Sequence, residues 1–378
     1  MEQQIHTPPT PRLPALDALR AVAVLAMVAG HTLDATLSDA ARELPGMVIY
    51  WNFRTVTAPL FLAVAGWAVG GSLSRSGMTG MAVVRRYLPR VALLFACGFM
   101  LRWPGWRLEA FFAGERAIWE HFLASDALHG VAGSLCVAIG IFAVLKSRAA
   151  RLGAVFAVAL GLPLLTPVLV PWLRAVLPLF PGQLLVGATS NFPLVPWVSY
   201  FFWGVLLREV IVALPRVRPA LVALAAGLIL TLLLTWTAEH ASYGGRQVYF
   251  WRLALMFLVA GVVLAFPDAL QRRLAPVGRA SLWAYVLHLP VAYGWSLVHP
   301  IAIPGMSWYI GRTLSPAQGL ALAALVVAGT VPAALLAKRH VSLLKARVWS
   351  WITRRGTARD YPATSPLFTS EVDARTRP

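Results

Sequence analysis

Long apolar runs separated by short polar connections dominate the pattern of this chain. A run of about 20 apolar residues can cross about 30 Å of hydrocarbon as a helix. Ten such runs can be counted, and the Gly, Pro and Trp residues inside several of them leave their ends approximate. They centre near Ala26, Ala65, Phe95, Leu135, Gly161, Phe202, Leu228, Val259, Leu287 and Leu325. The pattern therefore predicts an all-α polytopic membrane protein with about ten transmembrane helices.

Polar stretches at both ends bound this membrane region. Residues 1–12 are polar and contain proline, residues 13–345 carry the apolar runs, and residues 346–378 are rich in Thr, Ser, Pro and charged side chains. Segments of that last composition bury too little apolar surface to fold alone. We expect one multi-helix membrane domain over 13–345, a short N-terminal tail and a disordered C-terminal tail.

The charges carry information on orientation. The chain is 58% hydrophobic and 13% charged, with a formal net charge of +18. With the N-terminus inside, 24 of the 33 Lys and Arg residues fall in the inner segments of a ten-helix arrangement. Because Lys and Arg favour the cytoplasmic side, both termini are expected in the cytoplasm. The basic residues then meet anionic lipid headgroups, and no basic, aromatic surface domain is present to bind nucleic acid.

The first apolar run holds a polar stripe. Arg20 and His31 are eleven residues apart, so they share one helix face and are separated by about 16 Å along the axis. Asp17 precedes Arg20 by three residues, and Asp34 follows His31 by three. An ionisable group at the centre of a bilayer costs about 2.5 kcal/mol or more, so such groups usually face a cavity or a protein interior.

This stripe suits the transfer of a group from an anionic donor to an acceptor held deeper. Arg20, near the inner surface, is a side chain suited to binding phosphate. His31 can act as a general base, and Asp34 on the same face could fix its tautomer and stabilise its charged form. The alternatives are that Arg20 is an anchor reaching the membrane surface and that His31 is a hydrogen-bonded packing residue.

Two further polar patterns stand out. Ser281, Tyr285 and His288 share one helix face at offsets of four and seven residues, either lining the same cavity or bonding to a neighbouring helix. Asp126 and His129 begin the fourth run and can share a face, although a hydrated helix entrance explains them better than a functional pair does. We expect no metal, because the histidines lack short-range ligand spacing.

Other segments have expected roles in packing and recognition. Gly66, Gly70 and Gly71 in the second run predict close helix contacts. The two longest outer connections, 102–126 and 173–191, are candidates for acceptor recognition or for caps over a cavity.

Four short motifs resemble the membrane acyltransferase superfamily, which contains the acyltransferase-3 proteins and the heparan-α-glucosaminide N-acetyltransferase-like bacterial proteins. Arg20 and His31, with ten residues between them, resemble the Arg-x10-His signature of the family's opening helix. The other matching segments are Thr57–Gly66, Asp126–His129 with Phe192–Trp197, and Ser281–Pro290. Ala65 stands where many acyltransferase-3 proteins have Ser, which favours the heparan N-acetyltransferase-like branch.

The resemblance implies an enzyme that moves an acyl group, commonly acetyl from acetyl-CoA, to a hydroxyl or amine of a carbohydrate or another envelope molecule. It implies that His31 is catalytic and that Arg20 supports the donor. To these two roles we add the hypothesis that Asp34 assists His31 and that neighbouring inner-face residues such as Arg85 or Arg86 help to hold the phosphates. Asp126, His129, Ser281, Tyr285 and His288 would line the cavity. A bacterial inner membrane follows from the same resemblance.

A transporter or flippase is the main alternative, because a substrate pathway also needs polar stripes inside a helix bundle. No inverted repeat is visible to support it. A non-catalytic scaffold would leave the buried Arg20, His31 and His288 unexplained. Acyl-CoA binding with thioester turnover separates the first two interpretations.

Overall fold

The computed structural model describes residues 13–103, 108–238, 245–295 and 303–355, and within them it is a bundle of helices without β-strands. Two isolated bridges, Leu37 with Leu314 and Trp295 with Ile303, are the pairings of extended backbone found there. The all-α prediction is confirmed. The predicted N-terminal tail, residues 1–12, lies outside the described residues.

The helices follow one another with short connections. They are α1 (Pro14–Thr36), α2 (Asp39–Arg42), α3 (Pro45–Arg54), α4 (Thr57–Ser76), α5 (Met81–Leu101), α6 (Leu108–Phe112), α7 (Arg116–Phe122), α8 (Ala127–Val144), α9 (Arg148–Phe156), α10 (Leu162–Val176), α11 (Leu179–Val186), α12 (Leu194–Ala213), α13 (Pro219–Ala238), α14 (Gly245–Leu264), α15 (Asp268–Arg279), α16 (Ser281–Tyr293), α17 (Met306–Tyr309) and α18 (Pro316–Arg355). A π-helical turn, Ala157–Gly161, joins α9 to α10.

Eight helical stretches in the described part of the chain are long and apolar enough to cross a membrane. They correspond to eight of the ten predicted runs. The run near Phe95 forms α5, which is long enough but carries Arg85, Arg86 and Arg90. The run near Leu287 forms α16, whose 13 residues span only about 20 Å. The protein is thus an integral membrane protein of helical type.

The C-terminal helix is longer than the sequence pattern indicates. Residues 346–355, predicted to begin a disordered tail, continue α18 as a helix to Arg355. The remaining tail, residues 356–378, lies outside the described part of the chain.

Glycines set a very close helix contact in the core, between α4 and α12. A Cβ atom on Gly66 would overlap the backbone carbonyl of Phe201, and one on Gly204 would overlap the carbonyl of Ala63. Gly70 of α4 lies against Val205 of α12. In membrane bundles small residues let backbones approach where the hydrophobic effect no longer drives association. The predicted packing roles of Gly66 and Gly70 are confirmed.

Helix α1 lies at the centre of the site-bearing half of the bundle. It packs against α4, α15, α16 and α18. Its first residue is Pro14, whose missing N–H is harmless there, and its first turn carries an acidic residue that favours a helix N-terminus. The polar stripe of α1 therefore faces protein along most of its length.

Candidate functional site

The two predicted stripes meet at His31 on α1 and His288 on α16. Nδ1 of His31 lies 2.8 Å from Nε2 of His288, and the two rings are nearly parallel, at 7°. His288 is 1% exposed, whereas His31 is partly exposed. We call these two residues the histidine pair. Of the two, His31 is the one that a substrate can reach.

The hydrogen bonds of the pair assign its tautomers. Nδ1 of His288 lies 2.8 Å from the carbonyl oxygen of Ala284, one turn earlier on α16. A carbonyl only accepts, so a neutral His288 donates from Nδ1 and presents the lone pair of Nε2 to its partner. His31 then donates from Nδ1 and keeps the lone pair on Nε2. This is the state that a general base needs.

Asp34 has other partners. Its Oδ1 lies 3.1 Å from Nη1 of Arg42 and 3.5 Å from Nη1 of Arg54, and its Oδ2 accepts a hydrogen bond of 2.6 Å from the Tyr293 hydroxyl. Arg42 also donates to the backbone carbonyl of Asp34. The prediction that Asp34 fixes the tautomer of His31 by direct contact is wrong, because these groups occupy its carboxylate and His288 holds the imidazole.

Asp34 nevertheless lies beside the histidine pair. Tyr293 donates the hydrogen bond to Asp34, and its ring packs edge-on against the His31 ring with centroids 5.6 Å apart. Gly30 lets Arg54 pass close to α1, since a Cβ at this position would lie 2.7 Å from the Arg54 Nε atom. One carboxylate and two guanidinium groups thus border the pair at the predicted outer end of α1.

The stripe on α16 faces the protein interior. Ser281, Tyr285 and His288 are 8%, 2% and 1% exposed. The Tyr285 ring contacts His288 edge-on at 5.6 Å and stacks near Phe61 of α4 at 6.3 Å. The structure therefore places all three on one buried face, with Tyr285 between α4 and the histidine pair.

Asp126 and His129 begin α8 as a reciprocal cap. Asp126 Oδ1 accepts from the backbone N–H groups of Leu128 and His129 and lies 2.9 Å from Nδ1 of His129. His129 is fully buried among the rings of α5. The Tyr285 hydroxyl lies near the backbone of the next residue, Ala127. Asp126 and His129 are therefore connected to the histidine pair through Tyr285.

Three residues near this cap, Arg102, His121 and Ser125, belong to none of the motifs identified in the sequence. Arg102, at the end of α5, is 5% exposed and donates to the backbone carbonyl of His121 at 3.4 Å. Within the described residues, Arg102 Nε, His121 Nε2, Ser125 Oγ and His129 Nε2 are buried polar atoms without a hydrogen-bond partner. Buried polar atoms are normally satisfied, so such a group marks a place for water or a polar ligand. Burial and then the Arg102 charge lower the pKa of His121 to about 4.

The predicted inner end of α1 holds a separate cluster. Arg20 Nη1 lies 3.1 Å from Oδ1 of Asp17, and Arg279 Nη1 lies 3.8 Å from the other oxygen. Arg90 is close enough to Arg20 for their charges to interact. This cluster is basic, because two guanidinium groups pair with one carboxylate and a third lies near Arg20.

The other two predicted donor residues lie further along the same surface. Arg85 is exposed, and Arg86 is exposed and donates to the Ser72 hydroxyl at 3.3 Å. Arg90 follows Arg86 by one turn of α5 and so extends the row of arginines toward Arg20. Spacing along α5 could have identified Arg90, since it is four residues from Arg86.

A cavity of about 500 Å³ opens at the opposite, predicted outer end. Both long outer connections contribute to it, through α7 on one side and the α10–α11 hairpin on the other. Its polar lining residues are Arg116, Glu120, Arg174, Gln183 and Thr189. We call this space the outer cavity. It is joined to the cap of α8, because Ser190 accepts a hydrogen bond from the backbone of Ser125 at 2.8 Å.

Comparison with known proteins identifies one family. The model of the heparan-alpha-glucosaminide N-acetyltransferase catalytic domain matches residues 12–243, which include α1 with Arg20 and His31. No curated protein and no solved structure matches the chain. The match ends before α16, so His288 lies beyond it. Because it covers more than half of the sequence, this chain belongs to the heparan-alpha-glucosaminide N-acetyltransferase catalytic family.

Proposed function

We propose that the protein is a membrane acetyltransferase that takes an acyl group from acyl-CoA, most simply acetyl-CoA, and passes it to a hydroxyl or amine of a carbohydrate. The family supports a transferase acting on a sugar derivative. The observation that carries the proposal is the 2.8 Å contact between Nδ1 of His31 and Nε2 of His288, which leaves Nε2 of His31 free to take a proton. The rest of this site supports the same chemistry.

The transfer step balances with His31 alone as acid and base. The acceptor oxygen or nitrogen attacks the thioester carbonyl and gives its proton to Nε2 of His31, a new C–O or C–N bond forms, and the C–S bond breaks. The thiolate leaves and takes the proton back from His31 as the free thiol. During this step Nε2 of His288 accepts a hydrogen bond from the Nδ1–H group of His31 and so stabilises the imidazolium.

The inner cluster would hold the donor's phosphates. Arg90 lies near Arg20, and Arg85 and Arg86 are exposed about one turn before Arg90 on α5. Phosphate is a ligand that guanidinium groups bind strongly. Arg20 lies about 16 Å along α1 from His31, a separation that the extended pantetheine arm of CoA can cover. In this arrangement the donor enters from the cytoplasm, where both termini lie, and the acceptor enters from the other side of a bacterial inner membrane.

The bundle interior would hold the acceptor. Asp126, His129 and Tyr285 are buried between the start of α8 and the histidine pair, and Ser281 is buried one turn before Tyr285 on α16. Arg102 and Ser125 add polar atoms near the start of α8. Hydroxyl groups of a sugar can pair with such atoms, which would otherwise be costly to bury. We expect no metal in this reaction, since His31 supplies the base.

The test is release of free CoA thiol from acetyl-CoA by detergent-purified protein with glucosamine as the acceptor. We expect acceptor-dependent release by the wild type and a loss of about 100-fold or more in His31→Ala. His340→Ala is the matched control, because His340 is an exposed histidine on α18, and it should retain full activity. Full activity in His31→Ala overturns the assignment. Glucosamine transport into vesicles without acetyl-CoA turnover would instead establish a transporter.

A further inference from the structure

We infer that Arg252, in the outer half of α14, binds the phosphate of an anionic membrane lipid. This site is separate from the histidine pair, so the inference goes beyond the proposed function and does not depend on it. Helix α14 begins at the predicted outer side, and Arg252 lies about 10 Å along its axis from Gly245. It is a charged side chain within a membrane-spanning helix, a position that is costly without a partner.

The neighbouring helix supplies Arg252 with an aromatic ring but with no anion. The guanidinium carbon lies over the Trp197 ring of α12, 5.5 Å from its centroid. A ring attracts the charge, yet it offers no lone pair to the N–H groups. The Nε atom is buried without a hydrogen-bond partner in the described part of the chain, and no carboxylate there forms an ion pair with Arg252. The guanidinium group therefore lacks an acceptor among these residues.

The polar groups beside Arg252 are engaged with one another. Tyr200 is close enough to feel the Arg252 charge, but its hydroxyl donates to the backbone carbonyl of Tyr249 at 3.1 Å. The hydroxyls of Ser199 and Tyr249 lie 2.6 Å apart, and the Tyr200 and Tyr249 rings stack with centroids 4.5 Å apart. These contacts hold α12 against α14. They fix the surroundings of Arg252 without supplying the acceptor that it lacks.

The surface around Arg252 is open to lipid. Val248 precedes Arg252 by one turn on the same face of α14 and is 51% exposed, and Arg252 itself is partly exposed. Trp197 lies in the first turn of α12, which also begins at the predicted outer side. The guanidinium group over its ring is therefore near the outer surface of the membrane, the level at which Trp side chains concentrate. A lipid headgroup can reach it there.

The chemistry of the site selects among lipids. Phosphate oxygens accept paired hydrogen bonds from the N–H groups of a guanidinium group, and phosphate is the anion that lipid headgroups carry at this level. A headgroup with a net negative charge also neutralises Arg252. A zwitterionic headgroup brings a cation of its own and so pairs with Arg252 less well. The hydrocarbon chains would lie along the apolar surface at Val248.

The test is photo-crosslinking to lipid from the full-length protein with p-benzoylphenylalanine in place of Val248. The protein is reconstituted in vesicles of phosphatidylcholine and phosphatidylglycerol at a ratio of four to one, and mass spectrometry identifies the crosslinked lipids. With Arg252 present, we expect the ratio of phosphatidylglycerol to phosphatidylcholine among them to be about fivefold that of the vesicle. Arg252→Gln should reduce this enrichment to about one. Arg252→Lys, which keeps the charge without the fork of N–H groups, should retain part of it.

Arg246→Gln is the matched control, because Arg246 is an exposed arginine of the same helix end, two residues from Val248 and so on the opposite face. It should keep the full enrichment. A reporter in place of Leu228, which is 54% exposed on α13, should return the composition of the vesicle. An absence of enrichment at position 248, or enrichment that survives Arg252→Gln, overturns the inference.

Two further arms identify the source of the phosphate. In one, a polyprenyl phosphate replaces phosphatidylglycerol, and enrichment of either lipid that depends on Arg252 supports the inference and shows which lipid the site prefers. In the other, inorganic phosphate is added to the phosphatidylglycerol vesicles. Loss of the enrichment at millimolar phosphate would show a site for free anions and overturn the lipid assignment. No acetyl donor is present, so the result is independent of acetyl transfer.

Discussion

His31 and His288 lie 257 positions apart in the sequence, and their ring nitrogens approach to 2.8 Å. The contact joins a residue of the first helix, inside the family match, to a residue of α16, beyond that match. It engages one nitrogen of His31 and leaves Nε2 for the proton transfer that we propose. The remaining features of the site, a basic inner end and a polar outer end, lie on either side of this contact.

Substitution of Arg20 should affect donor binding more than chemistry. We expect Arg20→Gln to raise the KM for acetyl-CoA about tenfold or more, with a smaller change in kcat, because a phosphate contact acts alike in the ground and transition states. Steady-state kinetics with varied acetyl-CoA measure both constants. Arg218→Gln, at an exposed arginine of the predicted inner side, should leave KM unchanged. A normal KM in Arg20→Gln would remove the donor role.

Substitution of Asp34 should mainly lower stability. Asp34→Asn leaves Arg42 and Arg54 without their shared carboxylate, and such a loss in a partly buried site is worth about 1–3 kcal/mol. Tyr293→Phe removes one hydrogen bond to the same carboxylate and should cost about 1 kcal/mol. Thermal unfolding in detergent compares the two. If Asp34→Asn melts like the wild type yet loses activity as His31→Ala does, Asp34 is a member of the catalytic machinery.

The glycine contact between α4 and α12 predicts a strong dependence on side-chain size. Gly204→Ala places a methyl group against the Ala63 carbonyl and should destabilise the protein by about 1–3 kcal/mol or more. Gly140→Ala on α8 is the control, since a methyl group added at Gly140 would meet nothing within 4 Å. It should leave the melting temperature unchanged or raise it slightly. Equal melting temperatures for the two variants would show that α4 and α12 are not in close contact.

His121 should contribute to acid sensitivity. Its pKa is lowered to about 4 by burial and by the Arg102 charge, whereas an unfolded chain titrates near 6.5. The unfolded state therefore binds more protons between pH 6.5 and 4, so the stabilising term is complete above pH 6.5 and is lost as the pH falls toward 4. Melting temperatures from pH 7 to 4.5 should fall less steeply in His121→Gln than in the wild type. Parallel curves would contradict the buried, neutral state of His121.

Periodicity within one helix predicted much of this site. The offsets of Ser281, Tyr285 and His288 placed them on one face, and all three are buried. The eleven-residue spacing of Arg20 and His31 places them at two depths of α1. These features need only the geometry of a single helix, which sequence spacing specifies.

Contacts between distant segments were beyond such reasoning. Nothing local to His31 distinguishes His288 from Asp34 as its partner, because the choice depends on how α16 packs against α1. Asp34 is taken by Arg42 and Arg54, which reach it only because α2 and α3 fold back over the end of α1. The buried polar atoms of Arg102 and Ser125 likewise could not be predicted, because their burial depends on how α5 packs against α8.

The most direct test of the central claim is a double-mutant cycle on the histidine pair, measured as kcat/KM for acetyl transfer with His31→Ala, His288→Ala and the double variant. Because His288 acts through His31, we expect each single substitution to cause a large loss and the double variant to be no worse than His31→Ala. Losses that multiply in the double variant, or full activity in His288→Ala, would contradict the account.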